Sequence, residues 1–98
     1  MIEVRIITAD GCEGCNIMKR IANNAIDFIN EDHRQIVANV TTFDCLDENI
    51  RHFVNRYQVT DYPTTFIIKD SNVLNRIEGT VSKNTMIRYI DDALCIVS

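Results

Sequence analysis

Ninety-eight residues, 46% hydrophobic and 24% charged, are enough for one domain (1–98) with a real apolar core, and the composition is too ordinary for disorder or a low-complexity protein. A net charge of −4, with no basic cluster beyond Lys19-Arg20, argues against nucleic acid or an anionic membrane as the main partner and leaves a protein or a small thiol. No basic leader precedes a long apolar run and no stretch nears transmembrane length, so the expected location is the cytoplasm, where cysteines stay reduced by default.

Ile2 to Thr8 is β-branched and nearly all apolar, interrupted by Glu3 and Arg5, as suits a central strand with both faces mostly covered. Ala9-Asp10-Gly11 has turn chemistry, with Gly11 free to take a positive φ before Cys12. From Cys15 onward Met18, Ile21, Ala22, Ala25, Phe28 and Ile29 recur at helical spacing, which predicts an amphipathic helix of about five turns ending near Asp32. Ile36 to Asp44 reads as a second, more exposed strand. The helix between the two strands makes a right-handed crossover and a parallel pairing the expectation.

Asp47 or Asp44 is a candidate cap for a shorter helix whose stripe is Ile50, Phe53, Val54 and Tyr57. Pro63 then biases Tyr62 out of helical geometry. Thr64–Lys69 and Val73–Glu78 flank Asp70-Ser71-Asn72, a hairpin signal that predicts antiparallel strands. After Gly79, Ser82 is a good N-cap, and Met86, Ile87, Ile90, Ala93, Leu94 and Val97 give the last helix its stripe. The order is β-α-β-α-β-β-α, an α/β sandwich with helices on both faces.

The chemistry concentrates in Cys12-Glu13-Gly14-Cys15, where the first strand gives way to the first helix. Two thiols at i and i+3 across a helix start lie on one face, close enough to form a disulfide or to share one thiolate. The unpaired N–H groups and partial positive charge of the helix N-terminus favour that thiolate, and disulfide exchange needs it. Zinc sites use the same spacing, but after a strand and before a helix the motif points to redox work.

With this motif, the element order and Tyr62-Pro63-Thr64 in place, the whole chain resembles the thioredoxin-like superfamily, in its short form without an added N-terminal strand and helix. The resemblance implies a four-stranded mixed sheet of order 2-1-3-4. It implies that Cys12 attacks and Cys15 resolves, that Pro63 follows a cis bond beside the pair, and that the backbone of Tyr62, Pro63 and Thr64 binds an extended substrate. Gly79 matches a glycine after the last strand, and Glu13 and Gly14 stand where they modulate the pair. The activity implied is that of a thiol–disulfide oxidoreductase, a protein disulfide reductase or electron carrier. It would act as a monomer without cofactor or metal, recharged by a thioredoxin reductase-like enzyme or the glutathione system.

Several residues depart from the pattern. Gly11 stands where thioredoxins place a tryptophan, Glu-Gly replaces Gly-Pro between the cysteines, and Ile6 and Ile7 offer no buried carboxylate. Glutaredoxins also lack that carboxylate but carry a glutathione site where this chain has Glu78-Gly79-Thr80-Val81-Ser82. A glutathione-dependent reductase, and a non-catalytic module whose cysteines hold zinc or stay structural, remain alternatives.

Other residues have plain readings. Cys45 follows the second strand at the sheet edge that carries the pair and is most simply a small buried hydrophobe rather than a third redox thiol or metal ligand, while Cys95 falls off the last helix's stripe. His33 and His52 fall on polar surfaces without metal-ligand spacing to the cysteines. Asp10 is a turn residue within relay distance of Cys12 in sequence, and Tyr62 is either core packing or a stacking platform.

Overall fold

In a computed structural model describing residues 1–96, the elements are β1 (Ile2–Thr8), α1 (Glu13–His33), β2 (Ala38–Asp44), α2 (Arg51–Arg56), β3 (Thr64–Lys69), β4 (Asn72–Glu78) and α3 (Lys83–Leu94). The sheet order is β2-β1-β3-β4, with β1 parallel to β2 and antiparallel to β3, and β3 antiparallel to β4. This is the mixed 2-1-3-4 order expected. The side-chain period of two along β1 sends Ile2, Val4 and Ile6 to one face. There they join Met18, Ala22, Ala25, Ile26 and Ile29 of α1 and Met86, Ile90 and Ala93 of α3 in the larger core. Ile7 packs on the other face with Ile50, Val54, Val59, Phe66 and Ile68.

Glu3 and Arg5, the two breaks in the apolar run of β1, lie on the α2 face, which a six-residue helix covers only in part. Glu3 accepts two hydrogen bonds from the Arg5 guanidinium, at 2.7 and 3.1 Å, and one from the Thr41 hydroxyl at 2.5 Å. The guanidinium also lies 4.7 Å from the Phe53 ring centroid and 5.7 Å from that of Phe43. Paired and stacked in this way, two half-buried charges are compatible with a central strand.

Several boundaries differ from the sequence reading for identifiable reasons. The first helix ends at His33, within a residue of the expected end, with Arg34 capping it in the left-handed conformation at φ 55°, and it starts at Glu13, ahead of the Cys15 from which the apolar pattern runs. Its buried stripe is displaced toward Ile26, so Phe28 is half exposed with the Lys83 ammonium 5.6 Å from its ring centroid. The second strand begins at Ala38 rather than Ile36, because Asn30 bonds the loop before it. The Asn30 amide accepts from the Val37 and Ala38 N–H groups and donates to the Ala38 carbonyl, leaving Ile36 exposed.

Neither Asp44 nor Asp47 caps α2. Their carboxylates take the N–H groups of Leu46 and Asn49, two residues on, in local turns, and the N-cap position of α2 is Ile50. The hairpin turn is Asp70-Ser71, both at positive φ, so Asn72 already belongs to β4. Ser82 caps α3 by accepting from the Thr85 N–H at 3.1 Å. Met86, Ile90 and Ala93 form the buried stripe of α3, flanked by Ile87 and Leu94, and Val97 lies outside the described residues.

Thr65 is paired opposite Ile6 and Ile77 and is fully buried, and its hydroxyl has no hydrogen-bond partner among the described residues. An orphaned buried hydroxyl costs roughly 1–3 kcal/mol, and valine keeps the branched shape without it. Thr65→Val should therefore stabilise the fold by about 1 kcal/mol, read as a higher urea midpoint at unchanged slope. A lower midpoint would show that the hydroxyl has a partner in solution.

Candidate active site

At the C-terminal end of β1 the chain turns through Gly11, whose φ of 69° a residue with a Cβ rarely adopts, and delivers Cys12 to the N-cap of α1. The Cys12 Sγ accepts the Cys15 N–H at 3.1 Å, the place a serine or aspartate oxygen takes in an ordinary cap. Cys12 and Cys15 are joined as a disulfide, with Cα atoms 5.2 Å apart. Cys15, one turn in, is 2% exposed, whereas Cys12 is only partly covered. A thiolate formed at Cys12 on reduction meets an N–H already aimed at it and the positive end of a six-turn helix.

A second loop closes over this turn. A Cβ built on Gly14 would lie 3.4 Å from Pro63 Cδ and 3.8 Å from Thr80 Cγ2, so the first turn of α1 touches both the Pro63 loop and the loop after β4. The Tyr62–Pro63 peptide is cis. Pro63 and Thr64 are buried, the Thr64 hydroxyl donates to the Asp61 carbonyl at 2.6 Å, and the Gly79 N–H donates to the Pro63 carbonyl at 2.9 Å. Gly79 needs its φ of 79° to turn the chain there. The β1–β3 ladder stops at Thr64, so the Tyr62 backbone lies beyond the paired strands.

The structure thus brings Cys12, Cys15, Gly14, Pro63 and the Gly79-Thr80 turn together, with Glu13 exposed between the two thiols. A groove of about 700 Å³ opens beside the disulfide and is lined in part by Asp10, Cys12, Glu13, Cys15, Lys19 and Asp44. Lys19 and Thr80 were not singled out from sequence. Lys19 stands four residues after Cys15, and that spacing alone puts both on one side of the helix. No local signal marks Thr80. A second groove of about 710 Å³, on the α2 face around Arg5, His52 and Phe53, contains no cysteine.

The Cys45 N–H donates to the Thr8 carbonyl at 2.8 Å, which pins the end of β2 beside the turn that carries Cys12. The Cys45 thiol is half buried next to Tyr62, whose hydroxyl donates to the Val59 carbonyl at 3.3 Å. Burial pushes the Tyr62 phenol above its usual pKa, and the Cys45 thiol and the negative charge of Asp44 and Asp61 push it the same way. His33, His52 and Cys95 are exposed. Among the described residues, no group of three or more His, Cys, Asp or Glu side chains is placed to hold a metal ion.

No family model matches the chain. It is 29% identical over 86 residues to the chloroplastic thioredoxin Y2 of Arabidopsis thaliana, covering 88% of this chain and 47% of that protein, so the chain spans about half the length of this relative. Among solved structures it superposes on chloroplastic thioredoxin z with a TM-score of 0.76 at 15% identity, covering 98% of this chain and 80% of that one. Thioredoxin-2 of the malaria parasite gives 0.69 at 22% identity, covering 94% and 82%. The structural likenesses speak for the fold, and the bonded Cys-x-x-Cys pair is the feature that speaks for redox chemistry.

Glu13 places a carboxylate next to the sulfur that the helix start favours as a thiolate. Like charge opposes ionisation, so Glu13→Gln should make the reduced Cys12 thiol more acidic, and solvent and salt should keep the gain small. Alkylation by iodoacetamide near neutral pH should quicken about twofold. An unchanged or slower rate would mean that Glu13 is only a solvated residue of the first turn.

Proposed function

From a chain that is thioredoxin-like in fold and in its Cys12–Cys15 pair, we propose a thiol–disulfide oxidoreductase that reduces protein disulfides and carries electrons between a reductase and its targets. The observation that carries this reading is the asymmetry of the pair: one sulfur is reachable at the helix N-cap, and the other is buried one turn behind it and bonded to it. An attacking thiol must be accessible and ionised, and a resolving thiol must be close and shielded from competing reactions.

The exchange runs in two displacements. The Cys12 thiolate attacks one sulfur of the substrate disulfide, forming a mixed disulfide and releasing the other substrate sulfur as a thiolate that takes up a proton. Cys15, having lost its own proton, attacks the Cys12 sulfur and expels the second substrate thiolate. The substrate gains two electrons and two protons, and the chain ends as the Cys12–Cys15 disulfide. The backbone of Tyr62, beyond the end of the β1–β3 ladder and next to the cis bond, serves as the edge along which an extended substrate segment lies. The resting dithiol is restored by a reductase of the thioredoxin reductase type or by the glutathione system.

Cys15→Ser should accumulate a mixed disulfide between Cys12 and a substrate protein, and Cys12→Ser should not. Mass spectrometry of the trapped species locates the bond. An adduct on Cys15 would reverse the roles. Insulin reduction supplied with either recharging system separates the two donors, and failure with both, together with an inert pair toward small disulfides, would defeat the reading.

A further inference from the structure

The proposed redox pair sits in an acidic mouth. Asp10, Glu13 and Asp44 line the groove beside the disulfide with Lys19 as its one basic side chain, and Asp61 is exposed directly before Tyr62 and Pro63 in the chain. These carboxylates come from four places at the same end of the sheet: Asp10 from the turn after β1, Glu13 from the first residue of α1, Asp44 from the last residue of β2 and Asp61 from the approach to β3. Asp44 is fixed in orientation by the Leu46 N–H at 2.9 Å, and the Thr8 carbonyl bonded to the Cys45 N–H holds that loop against the Cys12 turn. Among the described residues none of the four carboxylates forms an ion pair. The Lys83 ammonium at the start of α3 is turned to the Phe28 ring rather than to the mouth.

Resting on the redox reading above, we infer that the pair selects its disulfides by charge, taking those carried on a basic surface, such as a protein disulfide flanked by Lys or Arg, and disfavouring anionic ones. The carboxylates form no site by themselves. They surround a disulfide that any substrate must approach to bonding distance, so charge on the two or three groups beside the substrate's sulfurs falls within about one Debye length of them. The chemistry is the two-step exchange already written, with two electrons passing from the dithiol to the substrate disulfide. Charge changes only how fast the encounter occurs.

Three small disulfides separate the possibilities: cystamine, which is cationic, hydroxyethyl disulfide, which is neutral, and oxidised glutathione, which is anionic. The chemically reduced full chain is mixed with each at low ionic strength, and its oxidation is followed by acid quench, alkylation and mass spectrometry. The same reagents reacting with dithiothreitol supply their intrinsic reactivities. After that correction the chain should prefer cystamine to oxidised glutathione by about tenfold or more, within the range that electrostatic steering gives. The preference should collapse near 1 M salt, where the Debye length is about 3 Å. It should also narrow in Asp10→Asn/Asp44→Asn, with Glu13→Gln as a second variant should the double one not fold.

Reaction with hydroxyethyl disulfide without any charge ordering would overturn this inference and leave the redox reading standing. An ordering that survives high salt or neutralisation of the rim would overturn the assignment to these carboxylates. A chain inert to all three disulfides would remove both.

Discussion

The position of β1 governs everything that carries chemistry. Paired on both sides, with Ile2, Val4 and Ile6 buried on one face and Ile7 on the other, it has one available depth in the sheet, and a slip of one residue would exchange Val4 and Ile6 for Glu3 and Arg5 in the larger core. With the register fixed, Thr8 must end at the sheet edge, and the turn after it must place Cys12 at the start of α1. The same register sets Asp44 opposite Thr8 and Thr64 opposite Ile7, which brings the ends of β2 and β3 to the cysteine turn. Residues distant in sequence meet there because three strand ends are aligned by hydrogen bonds made further down the sheet.

The two faces divide the work. Two long helices cover one face with a dry core of branched and small side chains, so Ala22, Ala25 and Ala93 let α1 and α3 approach closely. On the other face α2 has six residues, and its cover is aromatic: Phe53 meets Phe66 edge-on at 4.8 Å and Tyr57 at 4.6 Å. That face tolerates the Glu3–Arg5 pair because water still reaches it and because the rings stack on the guanidinium. The redox turn sits over the rigid side, where Met18 and Ile6 are fully buried, so Cys15 is held against packed core.

Periodicity made the elements legible, since apolar residues repeat every two in β1 and every three or four in α1 and α3. It failed where a polar side chain captures backbone. Asn30 lies outside the apolar stripe that the spacing picks out, yet its amide organises the entry to β2, and Asp44 and Asp47, the alternative candidate caps, have carboxylates that close local turns instead. In each case the residue type was right for a backbone bond, and the partner could not be chosen from order alone. Cys12 and Cys15 announced themselves by spacing at a strand–helix junction. The contact between Gly14 and Pro63 could not be read from spacing and came only from the family resemblance, because it depends on the β1–β3 register. The acidic mouth was invisible for the same reason: its carboxylates are scattered along the chain and converge only once the strands are paired.

Two electrostatic influences act on Cys12 with opposite sign and different range. The Cys15 N–H points at the sulfur at 3.1 Å within a helix start, and hydrogen bonds to charged groups are worth about 1.5–3 kcal/mol each. Glu13 and Asp10 are exposed, and Asp44 is half exposed, so each acts through water and salt and contributes less than that direct bond. The short-range term therefore decides whether Cys12 can serve as a nucleophile, and the carboxylates leave that capacity in place. Their field extends outward over the groove, and a substrate meets it before it reaches the sulfur. On the proposed reading, reactivity rests on the direct bond at the helix start and selection on the carboxylates around the groove, so the two can be altered separately.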